Sequence, residues 1–147
     1  MAGVESPHLR LQQQIDCQLE VEPRRTLSAW ERAGWNEEPG TDADEAPLKY
    51  LALVLLDAIE ERAVRLSMDR DTGVTVFADA TYTLPKAPPH YIARSLEILR
   101  EIIGLEGCSK GEGTLSLGIR GDSLDIIVQK DAGLHIISIP GLAAARR

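Results

Sequence analysis

The strongest pattern in the chain begins at Leu48. Leu48, Leu51, Ala52, Leu55, Ala58 and Ile59 recur at helical spacing, and Leu53, Val54 and Leu56 widen the stripe until most of the surface is apolar. This predicts a buried helix from Leu48 to about Arg62. It cannot cross a bilayer, because its longest apolar run, Leu51 to Ala58, contains Asp57 and is far shorter than the roughly 20 residues a span needs. The period then changes from helical to alternating. Val64, Leu66 and Met68 alternate with Arg65, Ser67 and Asp69, and Val74, Val76 and Ala78 alternate with Thr75, Phe77 and Asp79. The intervening "RDTG" predicts two strands joined by a tight turn. A second amphipathic helix follows a cluster of prolines, with Ile92, Leu96, Leu99, Ile102 and Ile103 on one side and Gly104 as its stop. Three short apolar runs, "TLSLGIR", "SLDIIVQK" and "LHIISIP", complete the chain. They are separated by Gly121-Asp122 and Asp131-Ala132-Gly133, which are hairpin turn signals. The order α-β-β-α-β-β-β predicts an α+β fold, an antiparallel sheet of about five strands with two main helices on one face.

The first 46 residues are patterned more weakly and read as an acidic leader and linker, partly disordered or in short helices, before a domain spanning 47–147. Helical spacing is present around Leu9 to Leu19 and in "TLSAWERAGW", where Thr26 or Ser28 can cap a short helix carrying Trp30. "NEEPGTDADEAP" reads as a solvated linker. Trp30 and Trp35 stand out there, because indoles bury large areas against the domain or against a partner. They are the candidate protein-interaction residues.

Composition narrows the function classes. A chain of 147 residues, 44% hydrophobic, suffices for one ordinary core. The net charge of −7 argues against nucleic acid or anionic lipid, whose affinity comes from Lys and Arg. The acidity is concentrated in residues 1–46, with ten acids against four bases, while 47–147 hold thirteen and twelve. Cys17 and Cys108 are isolated, and the N-terminal stretch has no apolar run of the kind a secretory signal needs, so the expected compartment is the cytoplasm.

Several strings in 48–139 resemble the domain that precedes the motor in the ATPases of type II secretion and type IV pilus assembly. That domain typically reads "LLDAIRERASDIHIEP", then "GVRVRYRIDG", then prolines, a helix ending "AGLD", a "QDGR" turn and a "DVRVST" strand. Here the counterparts are "LLDAIEERAVRLSMDR", "GVTVFADATY", "APP", "IGLE", "GEGT" and "LDIIVQ". The resemblance implies a PAS-like scaffold whose arginines approach nucleotide held by a neighbouring motor. Those arginine positions fall on Thr75, Phe77, Asp79, Thr114 and Ile127, none of which can replace a bidentate guanidinium. No G-x-x-x-x-G-K-[ST] occurs, so ATP hydrolysis is not expected of the chain. What is expected is a non-catalytic protein-interaction or regulatory module. Its partner would be a protein, in the first instance a secretion or pilus motor component.

Other chemistry is thin in the sequence. "GLEGCSKGEG" superficially resembles a phosphate loop with Lys110 as its cation, but it leaves a helix and enters a strand, the reverse of the phosphate-binding order. Cys108 and His135 could form a nucleophilic pair only if the fold joined them. His8, His90 and His135 are too scattered for a metal site, and Asp69, Asp71 and Asp79 read as solvated carboxylates near a hairpin. Neither a cofactor nor an enzyme is expected. The rival expectation is a PAS-like small-molecule sensor, with Phe77 and Tyr82 near its strands.

Overall fold

In the computed structural model, the described residues are 6–35, 44–105 and 110–140. Four helices, α1 (Pro7–Gln18), α2 (Pro23–Arg32), α3 (Glu45–Glu60) and α4 (Pro89–Ile103), accompany six strands. These are β1 (Arg65–Asp69), β2 (Gly73–Phe77), β3 (Thr81–Thr83), β4 (Lys110–Ile119), β5 (Asp122–Asp131) and β6 (Leu134–Ser138). The strands form one antiparallel sheet in the order β3-β2-β1-β6-β5-β4. The fold is α+β, with six strands rather than about five. The additional strand, β3, arises because the chain bends at 78–80 and returns along β2, pairing Phe77 with Thr81 and Thr75 with Thr83.

Local chemistry sets the element boundaries. Prolines occupy the first turns of α1, α2 and α4, where a missing N–H costs nothing. Ser6 caps α1 by accepting the Leu9 amide at 3.2 Å. Gly104, at φ +77°, ends α4 in the left-handed conformation that glycine adopts without strain. The β4–β5 hairpin turns through Arg120 and Gly121, both at positive φ, as a two-residue type I′ loop requires.

Burial follows alternation in every long strand. Leu66 and Met68, Val74 and Val76, Leu115, Leu117 and Ile119, Ile126 and Val128, and His135 and Ile137 all turn inward. α3 is central among the helices and packs against α1, α2 and α4. This position explains its nearly unbroken apolar sequence, with every residue from Tyr50 to Ala58 buried. Leu11 and Ile15 of α1 and Leu27 of α2 are fully buried in the same core. The C-terminal end of α4 lies very close to β4: a Cβ at Gly113 would fall 2.6 Å from Ile103 Cβ, and one at Gly111 would fall 2.8 Å from Leu105 Cδ2.

Candidate functional site

The face of the sheet opposite the buried alternation carries no described helix. Its side chains form two rows across the strands. One runs Thr81, Phe77, Arg65, Ser138, Ile127, Thr114, and the other Thr83, Thr75, Ser67, Ile136, Gln129, Glu112. Phe77, Ile127 and Ile136 are half-buried among hydroxyls and amides, and the Arg65 guanidinium lies 4.8 Å from the Phe77 ring centroid. Four of the positions where the resemblance would place arginines, Thr75, Phe77, Thr114 and Ile127, lie on this face. The fifth, Asp79, sits in the bend after β2. Neutral side chains occupy these four positions on the face.

This face ends at β4, a ten-residue edge strand. The Gly118 amide donates to Gln12 Oε1 at 2.7 Å instead of to β5, so even-numbered residues of β4 turn their main-chain groups outward. α1 covers part of that row. Gln12 Nε2 donates to Gly118 O at 2.7 Å, His8 Nε2 lies 2.6 Å from Ser116 O, and Arg120 Nη2 donates to Leu19 O at 2.9 Å. Side chains thus occupy the places where a neighbouring strand would bond, one of the ways in which proteins blunt an exposed edge. Beside this covered stretch, Lys110, Glu112 and Thr114 keep an open edge among the described residues. Gly111 and Gly113 carry no side chains there, so only the alternate residues project, toward the open face.

A buried carboxylate anchors the opposite edge. Asp57 accepts from Tyr82 Oη at 2.5 Å and from Arg24 Nε at 3.2 Å, while Arg24 also reaches Glu61 at 3.5 Å and lies 4.1 Å from the centroid of the Tyr82 ring. Burial, followed by the hydrogen bond and charge of Asp57, pushes the Tyr82 phenol above its ordinary range. The cluster ties α2, α3 and β3 together. A second ionic cluster joins the start of α3 to α4. Arg94 grips Asp44 with Nε–Oδ1 at 2.7 Å and Nη2–Oδ2 at 2.8 Å, which holds the Asp44 carboxyl below its usual range.

The structure places Trp30 and Trp35 against the core, half-buried, with ring centroids 6.2 Å apart. Trp35 also makes edge contacts with Tyr50 at 6.1 Å and Tyr91 at 5.7 Å, and its carbonyl accepts from Tyr91 Oη at 3.2 Å. Tyr50 is fully buried, and its hydroxyl has no hydrogen-bond partner among the described residues. Cys108 lies outside the described residues, so its relation to His135 is not defined by the fold. His135 points inward and is fully buried, whereas His8 sits over the β4 edge and His90 against Tyr91. Among the described residues no group of three or more His, Cys, Asp or Glu side chains is placed to hold a metal, and no helix is long and apolar enough to cross a membrane. Sequence reasoning missed His8 and Gln12. Their contacts lie 108 and 106 residues away along the chain, and no local pattern signals them. No protein-family model matches the chain, and no curated protein sequence matches it.

Proposed function

We propose that the chain is a non-catalytic protein-interaction module that receives an extended partner segment along the open part of the β4 edge. The observation carrying this reading is the edge itself: outward main-chain groups at Lys110, Glu112 and Thr114 continue a row that α1 has already capped at Ser116 and Gly118. An added strand would supply main-chain hydrogen bonds, and its alternate side chains would lie beside Thr114 and Ile127 on the uncovered face. The resemblance in 48–139 supports choosing the partner class, a component of a secretion or pilus motor working in the cytoplasm. The loss of arginine at Thr75, Phe77, Thr114 and Ile127 supports docking without nucleotide chemistry. A PAS-like sensor would hold its ligand between sheet and helices, a space where Leu66, Met68, Val76, Ile126, Val128 and Ile137 are packed as core.

The test is affinity capture from native lysate with the wild-type chain, the Glu112→Pro variant and the Ile127→Glu variant. Proline at 112 removes an outward N–H but leaves the bonds to β5, which odd-numbered residues make. Both variants should fold and lose a partner that wild type retains. Undiminished capture by Glu112→Pro would rule out the edge, and recovery of no secretion or pilus motor component would rule out that partner class.

A further inference from the structure

A groove of about 360 Å³ opens at one end of the sheet, between α4 and the β1–β2 and β5–β6 turns. One wall is the later part of α4, with Ala93, Leu96, Glu97 and Arg100. The other is built from the β1–β2 turn, with Asp69, Arg70 and Asp71, and from Gly133 in the β5–β6 turn. Its volume lies near the lower end of the range of small-molecule sites, about 300–1,000 Å³.

Both signs of charge line this groove. Arg100 makes no ion pair among the described residues; its Nη1 lies 3.4 Å from Nε2 of the fully buried His135. Nε2 accepts this bond if the imidazole proton sits on Nδ1, which lies 3.4 Å from Gly133 O. Burial first, and then the neighbouring Arg100 charge, lower the His135 pKa, consistent with a neutral ring that orients the guanidinium without competing for an anion. The remaining guanidinium donors are available to the groove. Across from it Asp69 is fixed, because its Oδ1 accepts the amides of Asp71 at 2.7 Å and Thr72 at 3.2 Å, leaving Oδ2 without a hydrogen bond among the described residues. Glu97 stands one turn before Arg100 on α4, where it lines the groove and its Oε2 accepts from Arg94 Nη1 at 3.4 Å, and Arg70 is engaged by Asp71 at 3.3 Å. A Cβ at Gly133 would come within 3.5 Å of Asp69 Oδ2, so the absence of a side chain leaves this carboxylate approachable. Leu96 and Ala93 supply an apolar floor.

A purely anionic ligand would meet Asp69, Asp71 and Glu97, and a purely cationic one would meet Arg100. A zwitterion satisfies both. We propose that the groove binds a free α-amino acid with an aliphatic side chain, its carboxylate on Arg100, its ammonium between Asp69 and Glu97, and its side chain on Leu96 and Ala93. This inference is independent of the partner-strand reading.

The test is an amide NMR titration of the full chain with L-leucine, with 4-methylpentanoate, which lacks the amine, and with isoamylamine, which lacks the carboxylate. Leucine should give saturable shifts confined to 69–72, 93–100 and 133, with Kd about 1 mM or tighter, and each half-ligand should bind at least about tenfold more weakly. Arg100→Met and Glu97→Gln should each weaken leucine about tenfold. Asp69→Asn, which keeps the oxygen that caps the turn, should do the same. Absence of saturation, shifts mapping elsewhere, equal binding of either half-ligand, or unchanged affinity in a folded Glu97→Gln or Asp69→Asn protein would each overturn the proposal.

Discussion

Truncation of Ile15 tests whether α1 is an integral part of the core. Ile15 is fully buried in the same cluster as the α3 and sheet residues, although α1 has only one other buried side chain, Leu11. Ile15→Ala removes three carbons, worth about 0.8 kcal/mol each as lost transfer free energy, or about 2.4 kcal/mol. An incompletely collapsed cavity adds to this, so the expected loss is about 2–5 kcal/mol. Urea denaturation followed by circular dichroism should show a lower midpoint at unchanged slope. Leu9→Ala, at a position 48% exposed on the same helix, serves as the control and should stay within about 0.5 kcal/mol of wild type. A loss below about 0.5 kcal/mol for Ile15→Ala would refute the reasoning, because a cavity-forming truncation in a shared core cannot be that mild.

Two further outcomes follow from packing and charge. Gly113→Ala should destabilise by about 1–3 kcal/mol, since its Cβ would lie 2.6 Å from Ile103 Cβ. Gly118→Ala, where only the end of the Gln12 side chain comes within 4 Å, should stay near wild type; equal effects in chemical denaturation would contradict the close approach of α4 to β4. Burial holds the folded pKa of His135 below the ordinary imidazole value of about 6.5, so below that pH the unfolded chain takes up a proton that the folded chain resists. Its contribution is present above that value and is lost as pH falls toward the folded pKa, by at most about 1.4 kcal/mol per pH unit. Urea melts between pH 7 and 5 should show a shallower decline for His135→Gln than for wild type, and parallel declines would contradict a buried neutral imidazole.

The elements legible in the sequence are those whose own residues specify them. α3 and α4 follow from helical periodicity, the hairpins from glycines at turns, and the sheet face from strict alternation in β1, β4, β5 and β6. β3 escaped because Ala78, Asp79 and Ala80 look like a continuation of the β2 alternation, and three residues of strand carry too little pattern to reveal the reversal. The docking of α1 and α2 rests on few apolar anchors, Leu11, Ile15, Leu27 and Pro23, within mainly polar helices, so the burial was not readable from their composition. The same limit applies to function. Arg100, Asp69 and Gly133 lie on three different elements, and the capped edge depends on pairing α1 with a strand more than a hundred residues later. Neither arrangement leaves a motif in the linear sequence.

The most direct measurement of the central claim is amide hydrogen exchange at Glu112, Thr114 and Gly118, on the free protein and on its complex with captured partner. In the free protein, Gly118 should exchange more slowly than Glu112 and Thr114, because Gln12 accepts its N–H. In the complex, Glu112 and Thr114 should become protected as a partner strand takes up their outward amides. Amides at 112 and 114 that exchange equally fast in both states would contradict strand addition at β4.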